Sequence, residues 1–143
     1  MYHMNARDLP GNDVSRTFEG GKHGRCTVSF FLVNNRPGEG PNLHRHAYDE
    51  TFIICEGHYD FRLDGKLLKL GPGDVVFVPR GTAHGFVSTG PEVGRQIIIS
   101  SPGGIFDAMI AEVTMLDTGS PTRQASEQAK AIATKYGLEF LAS

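Results

Sequence analysis

Gly38-Glu-Gly-Pro-Asn-Leu-His44-Arg-His46-Ala-Tyr-Asp-Glu50-Thr-Phe-Ile-Ile-Cys-Glu-Gly57 is the stretch on which the fold of this chain turns. On an extended strand, residues i and i+2 point to the same face, about 6.6–6.8 Å apart. His44-Arg-His46 therefore aims two imidazoles at one point while Arg45 faces away. Glu50 follows four residues later, across Ala47-Tyr-Asp49, at the start of the next strand. A third imidazole comes from Gly73-Asp-Val-Val-Phe-Val-Pro79-Arg-Gly81-Thr-Ala-His84, where His84 opens a strand just after a tight Pro79-Arg-Gly81 turn. Three neutral imidazole nitrogens and one carboxylate oxygen suit one divalent transition metal among Mn, Fe, Co, Ni, Cu and Zn. Around a six-coordinate metal, four protein ligands leave two positions open, as catalysis needs and purely structural sites lack.

Working outward, residues 25–101 read as many short strands. Cys26-Thr-Val-Ser-Phe-Phe-Leu-Val33 is rich in β-branched and aromatic residues and is stopped by Asn34-Asn-Arg-Pro-Gly38. Thr51–Cys55 and His58–Leu63 follow, and Asp64-Gly65 is a strong two-residue hairpin signal before Lys66–Leu70. Val75–Val78, His84–Ser88 and Arg95–Ser100 complete the set. Short strands at regular spacing predict an all-β sandwich or barrel. Gly57 and Gly73 fall at turns that favour positive φ, and Gly81 lets the chain turn so that His84 enters the barrel.

The flanks differ. Residues 1–24 are polar, with one possible strand near Val14–Phe18, and read as an N-terminal arm or edge strand. In residues 102–143, Ile105, Phe106, Met109, Ile110 and Val113 recur at helical spacing, as do Ala125, Ala129, Ile132, Ala133 and Tyr136. Ser120-Pro121 supplies a cap and first-turn proline for the second helix, and Gly137 a stop. Both helices carry one apolar stripe, so they are expected to pack on the barrel; the alternative is that the first also closes a ligand cavity. The whole of 1–143 reads as a single domain.

Composition excludes several classes. The chain has 143 residues, a formal net charge of -2 and no basic block, which argues against nucleic acid. No segment reaches the roughly 18 apolar residues of a membrane helix, and the polar first twenty residues lack the apolar run of a secretory signal. The two cysteines, Cys26 and Cys55, lie in strand-like runs and read as free core residues of a cytoplasmic protein. The sequence holds no nucleophile motif, P-loop or nucleotide fingerprint.

Strand parity places Phe52 and Ile54 on the face of Glu50, and Phe86 and Ser88 on that of His84. These four are the expected substrate-pocket residues, an apolar wall suited to an apolar or aromatic small molecule. Ile53, Cys55 and Val87 point the opposite way. A strand apolar on both faces is buried on both, so the outer face is expected to be covered by a second chain in a homodimer, or else by the arm or the helices. Tyr48 and Asp49, beside the ligands, are available as acids or bases or as turn residues.

The spacing Gly38-x5-His44-x-His46-x3-Glu50-x6-Gly57, followed by Gly73-x5-Pro79-x-Gly81-x2-His84, fixes nine positions. At roughly 5% per position, chance agreement anywhere in the chain is on the order of 10⁻¹⁰. This frame resembles the two-part signature of the cupin superfamily. It departs once: four residues after the last histidine, where the family often has Asn, this chain has Ser88. The short His58–Pro72 interval is similar to that of small microbial single-domain cupins, not to two-domain enzymes of the oxalate-decarboxylase type. The runs Glu50–Gly57, Phe77–Phe86, Ser101–Asp107 and Ala133–Phe140 look like those of bacterial quercetin dioxygenase-like monocupins. The resemblance implies a double-stranded β-helix, a jelly-roll cupin barrel with two short C-terminal helices. It implies a metal on His44, His46, Glu50 and His84, and a dioxygenase acting on a flavonol or related enol. Glu50 is then a ligand, the catalytic general base, or both in turn. Two other readings stay open: a metal-dependent isomerase or lyase, and a cupin that binds a small molecule without turnover.

Overall fold

A computed structural model describes residues 5–9, 11, 15–19, 28–116 and 123–142. The strands are β1 (Ser15–Glu19), β2 (Ser29–Asn35), β3 (His44–Arg45), β4 (Asp49–Glu56), β5 (Tyr59–Leu63), β6 (Lys66–Leu70), β7 (Val75–Val78), β8 (His84–Ser88), β9 (Gly94–Ser101) and β10 (Glu139–Phe140). Two helices, α1 (Ile105–Thr114) and α2 (Arg123–Lys135), lie between β9 and β10. The strands form two antiparallel five-stranded sheets, ordered β1-β2-β9-β4-β7 and β10-β3-β8-β5-β6. This is the jelly-roll expected. Among the described residues no helix is long and apolar enough to cross a membrane.

Register explains what the sheets hold between them. On the inner face of the first sheet, Glu50 is level with Ser100 and Ser29, Phe52 with Ile98 and Phe31, and Ile54 with Gln96 and Val33. On the second sheet, Leu63 pairs with His84, Phe61 with Phe86 and Tyr59 with Ser88. The period of two thus sorts side chains inward by row. The buried core is Phe52, Ile54, Tyr59, Phe61, Leu70, Val76, Val78 and Phe86.

Local chemistry fixes the turns. Asp64 and Gly65 both have positive φ, 49° and 76°, which is the type I′ hairpin that Asp-Gly favours. Gly57 has φ 77°, and a Cβ there would sit 2.6 Å from the Gly94 Cα, so only glycine lets the end of β4 pass β9. Gly137, at φ 80°, ends α2 as expected.

Two details differ from the sequence reading, and a third bears it out. β2 runs on through Asn34 and Asn35, expected to stop it, because both continue the ladder with Arg95 and Gly94 of β9; sheet context overrides a weak strand preference. The edge strand near Val14–Phe18 is β1, Ser15–Glu19, paired along β2, while Val14 itself, Cys26 and the Ser120-Pro121 cap lie outside the described residues. The tail is not wholly helical: β10 pairs Glu139 with Arg45 and Phe140 with His44. Two residues are too few to carry a period, so the sequence gives no sign of this strand.

A candidate metal centre and its cavity

His44 and His84 face each other across the β3–β8 pair, His46 follows β3, and Glu50 enters from β4 of the other sheet. All four side chains are buried, His84 completely. One ligand atom from each lies within 4.8 Å of every other. The Nδ1 atoms of His44, His46 and His84 bond the carbonyl oxygens of Asn42, Tyr48 and Thr82, at 2.7, 2.9 and 2.9 Å. Each Nδ1 is therefore the protonated nitrogen, and each Nε2 lone pair is free to point inward. The Nε2 atoms of His46 and His84 lie 2.9 and 3.0 Å from Glu50 Oε2. With Nδ1–H already committed, these are lone pairs facing a carboxylate, an arrangement that requires positive charge between them. Bonds of about 2.1 Å at right angles put neighbouring ligand atoms ~3.0 Å apart, which matches the His46–Glu50 and His84–Glu50 spacings. The cluster can hold one metal ion, and the donor set leaves its identity open.

Burial raises the Glu50 carboxyl; protons on the His46 and His84 Nε2 atoms would outweigh it and hold the pKa down at about 2, and where both Nε2 atoms are lone pairs a cation between them takes that part. Burial lowers His44 to about 4, against the opposing pull of its bond to the Asn42 carbonyl. A neutral His44 is the ligand form. The depressed pKa also carries a stability prediction. Above pH 6.5 the contribution of His44 to the stability of the metal-free protein is fully present. As pH falls from 6.5 toward 4 the unfolded chain binds a proton that the folded one excludes, and up to about 3 kcal/mol is lost. Urea midpoints measured from pH 7 to pH 4 should fall more steeply for the native protein than for His44→Gln. Parallel curves would show that His44 is not held neutral.

The two residues left open beside the ligands have structural places. The Tyr48 ring stacks on His46 at 3.7 Å and 5°, and burial, then the Glu50 and Asp107 carboxylates, pushes its pKa well up. Asp49 accepts from the Arg80 backbone N–H at 2.8 Å and from its guanidinium at 3.1 and 2.8 Å. It ties the turn before His84 to the start of β4, and the Gly81 N–H donates to the His46 carbonyl at 2.7 Å across the same junction.

A cavity of about 520 Å³ opens from His44 and Glu50. Phe52 and Phe86 lie on its wall; Ile54 and Ser88, of the same strands, are buried and do not line it. Strand parity misses much of the wall, including Phe31 and Ile98 from β2 and β9, and Phe106, Met109 and Ile110 from α1. Helix α1 thus both lines the cavity and packs on the barrel, where Phe106 meets Phe31 of β2 edge-on at 4.8 Å, and Met109 packs with Ala133 and Leu138. Sequence reading also passed over Ser29, Ser100, Gln96 and Asn35, four buried polar residues on the inner face. Their signal was polar residues at inward parity in otherwise apolar strands.

The family model described as Cupin domain matches residues 31–100. The chain is 35% identical over 75 residues to an uncharacterized protein of Aquifex aeolicus, covering 52% of this chain and 60% of that one. It is 31% identical over 83 residues to the quercetin 2,3-dioxygenase of Bacillus subtilis, covering 56% of this chain and 24% of the enzyme. The matched stretches span less than two thirds of both relatives. Among solved structures, an RmlC-like cupin from Shewanella frigidimarina superimposes with a TM-score of 0.59 at 20% identity, over 72% of this chain and 92% of that one.

Proposed function

The chain belongs to the cupin superfamily, and from that premise we propose that it is a metal-dependent dioxygenase acting on an aromatic or enolic small molecule. The observation that carries this reading is the joining of two things: a buried cluster of three imidazoles and a carboxylate, and an apolar cavity opening from it. His44, His46, Glu50 and His84 hold the ion. When bound, it supplies Lewis acidity that lowers the pKa of a substrate hydroxyl. Glu50 accepts that proton through its carboxylate. Phe31, Phe52 and Phe86 hold a flat ring against the apolar wall and exclude water. The likeness to a quercetin 2,3-dioxygenase supports this substrate class.

The proposal extends to a homodimer and a cytoplasmic address. Val75 and Phe77, on edge strand β7, are 62% and 57% exposed and pair with Ile53 and Thr51, giving an apolar outer edge for a second copy. Cys55 is a free thiol, as a reducing compartment keeps it, although it is exposed and not in the core as expected, because it points to the outer face of β4.

Oxygen consumption decides the reaction class. Protein loaded separately with Fe, Mn, Ni and Co is offered flavonols and other enolic aromatics, with His46→Ala and Glu50→Gln as controls. Uptake with one metal, lost in His46→Ala and in Glu50→Gln, is the expected result. Stoichiometric metal binding without uptake under any metal would reject the dioxygenase reading in favour of an isomerase, a lyase or a binding protein.

A further inference from the structure

The cavity has a second polar end. Glu50 is level with Ser29 across β9, and Asn35 lies six residues further along β2, roughly 20 Å of strand at ~3.3 Å per residue. Asn35 lines the same cavity as His44 and Glu50, with Phe31, Val33 and Ile98 between the two ends. A buried amide in apolar surroundings is costly unless its bonds are made.

Half of this amide is satisfied on the side away from the cavity. Asn35 Oδ1 accepts from the Tyr59 hydroxyl at 3.2 Å and from Gln96 Nε2 at 3.1 Å, and neither donor residue lines the cavity. Gly94, directly opposite Asn35 in the ladder, makes room for this: a Cβ there would collide with the Tyr59 hydroxyl. Turning both amides over would leave the Tyr59 hydroxyl hydrogen and the Gln96 amide nitrogen without acceptors. Of the buried polar atoms in these three side chains, the arrangement seen leaves Gln96 Oε1 alone without a partner, and an orphaned buried carbonyl is tolerated better than an orphaned buried donor. Asn35 Nδ2 is therefore left on the cavity side, with no acceptor among the described residues.

We propose that Asn35 is the recognition donor at the end of the cavity remote from the metal centre. Its Nδ2 hydrogen-bonds a neutral acceptor oxygen (a carbonyl, ether or phenol) on an elongated, largely apolar ligand whose other end carries the metal-binding oxygen. The inference rests on the aromatic-ligand reading above and names the shape of that ligand. Neutrality follows from the wall: the cavity lining holds no Lys or Arg, and its one charged group near Asn35 is the Glu39 carboxylate. An anionic terminus would meet repulsion there and no cation.

Two probes test this on metal-loaded protein by titration calorimetry: 3-hydroxyflavone, and its para-acetyl derivative with an acceptor-only oxygen at the end remote from the hydroxyketone. The native protein is expected to bind the acetyl probe about five- to tenfold more tightly, the size of one net hydrogen bond. In Asn35→Asp, which keeps acceptors for Tyr59 and Gln96 but presents an oxygen to the cavity, the ratio falls to about one or reverses. Tyr59→Phe keeps the ring and frees the amide to turn over, so there the ratio must fall as well; this variant decides if Asn35→Asp does not fold. Equal binding of the two probes by the native protein, or a ratio unchanged in either folded variant, overturns the role of Asn35 and leaves the aromatic-ligand reading standing. Failure of both probes to bind, with the metal in place, overturns that reading and this inference together.

Discussion

His84→Ala is expected to weaken metal binding by more than about 100-fold, since losing a partner that merely orients a ligand already costs 10–100-fold. His84 is fully buried, sits 4.3 Å by ring centre from His44 and 4.8 Å from His46, and places Nε2 3.0 Å from Glu50 Oε2. No neighbouring side chain can move in to replace it, because the surrounding positions are filled by Phe52 and Phe61. The loss should be visible in two ways. Calorimetry should show the tight, one-to-one isotherm of the native protein collapse. Stabilisation by metal should vanish too: about 4 kcal/mol is gained when the metal stands a thousandfold above Kd, and almost none below it. Undiminished affinity in the variant would remove His84 from the ligand set, and with it the centre as described.

Phe61→Ala should cost 3–5 kcal/mol, the range for emptying an aromatic side chain from a core that cannot collapse. Phe61 has no exposed surface and meets the Phe52 ring edge-on at 4.9 Å, with Phe86 at 6.0 Å and His84 at 6.4 Å. It joins the two sheets at the place where His84 enters. For a chain of this size the change is about 10–20 °C in Tm. One metal should still bind per chain, since every ligand remains. A loss under about 1 kcal/mol would mean that the space refills, and that the aromatic core is not what holds the sheets at that distance. The two variants separate the parts: His84→Ala removes the site from a fold that persists, and Phe61→Ala weakens the fold around an intact site.

The legible parts of this protein are those with a local cause. His44, His46, Glu50 and His84 could be grouped from spacing because strand parity and two tight turns are short-range rules. The same rules gave the Asp64-Gly65 hairpin, the strand pattern and the two helices. The wall of the cavity was legible only on the strands that carry the ligands, and even there parity could not separate Phe52 and Phe86, which line it, from Ile54 and Ser88, which do not. Parity gives a face, whereas a cavity depends on how far along the strand a residue sits and what the opposite sheet puts there.

The remainder needed three dimensions. Phe31, Ile98 and the α1 residues reach the cavity through register and helix docking, over separations that no local pattern encodes. The Asp49–Arg80 brace joins residues 31 positions apart, and β10 becomes a strand only because β3 offers it an open edge. Asn35 looked like a turn residue; its amide acquires a direction only when Tyr59 and Gln96 arrive from distant strands to bind one side of it. The sequence by itself determined the sheet-forming pattern, the turns and the set of candidate metal ligands, since these follow from short-range spacing along the chain. The tertiary structure decided the shape of the cavity, the bracing of the ligands and the direction of each buried hydrogen bond, because those depend on which strands are held side by side.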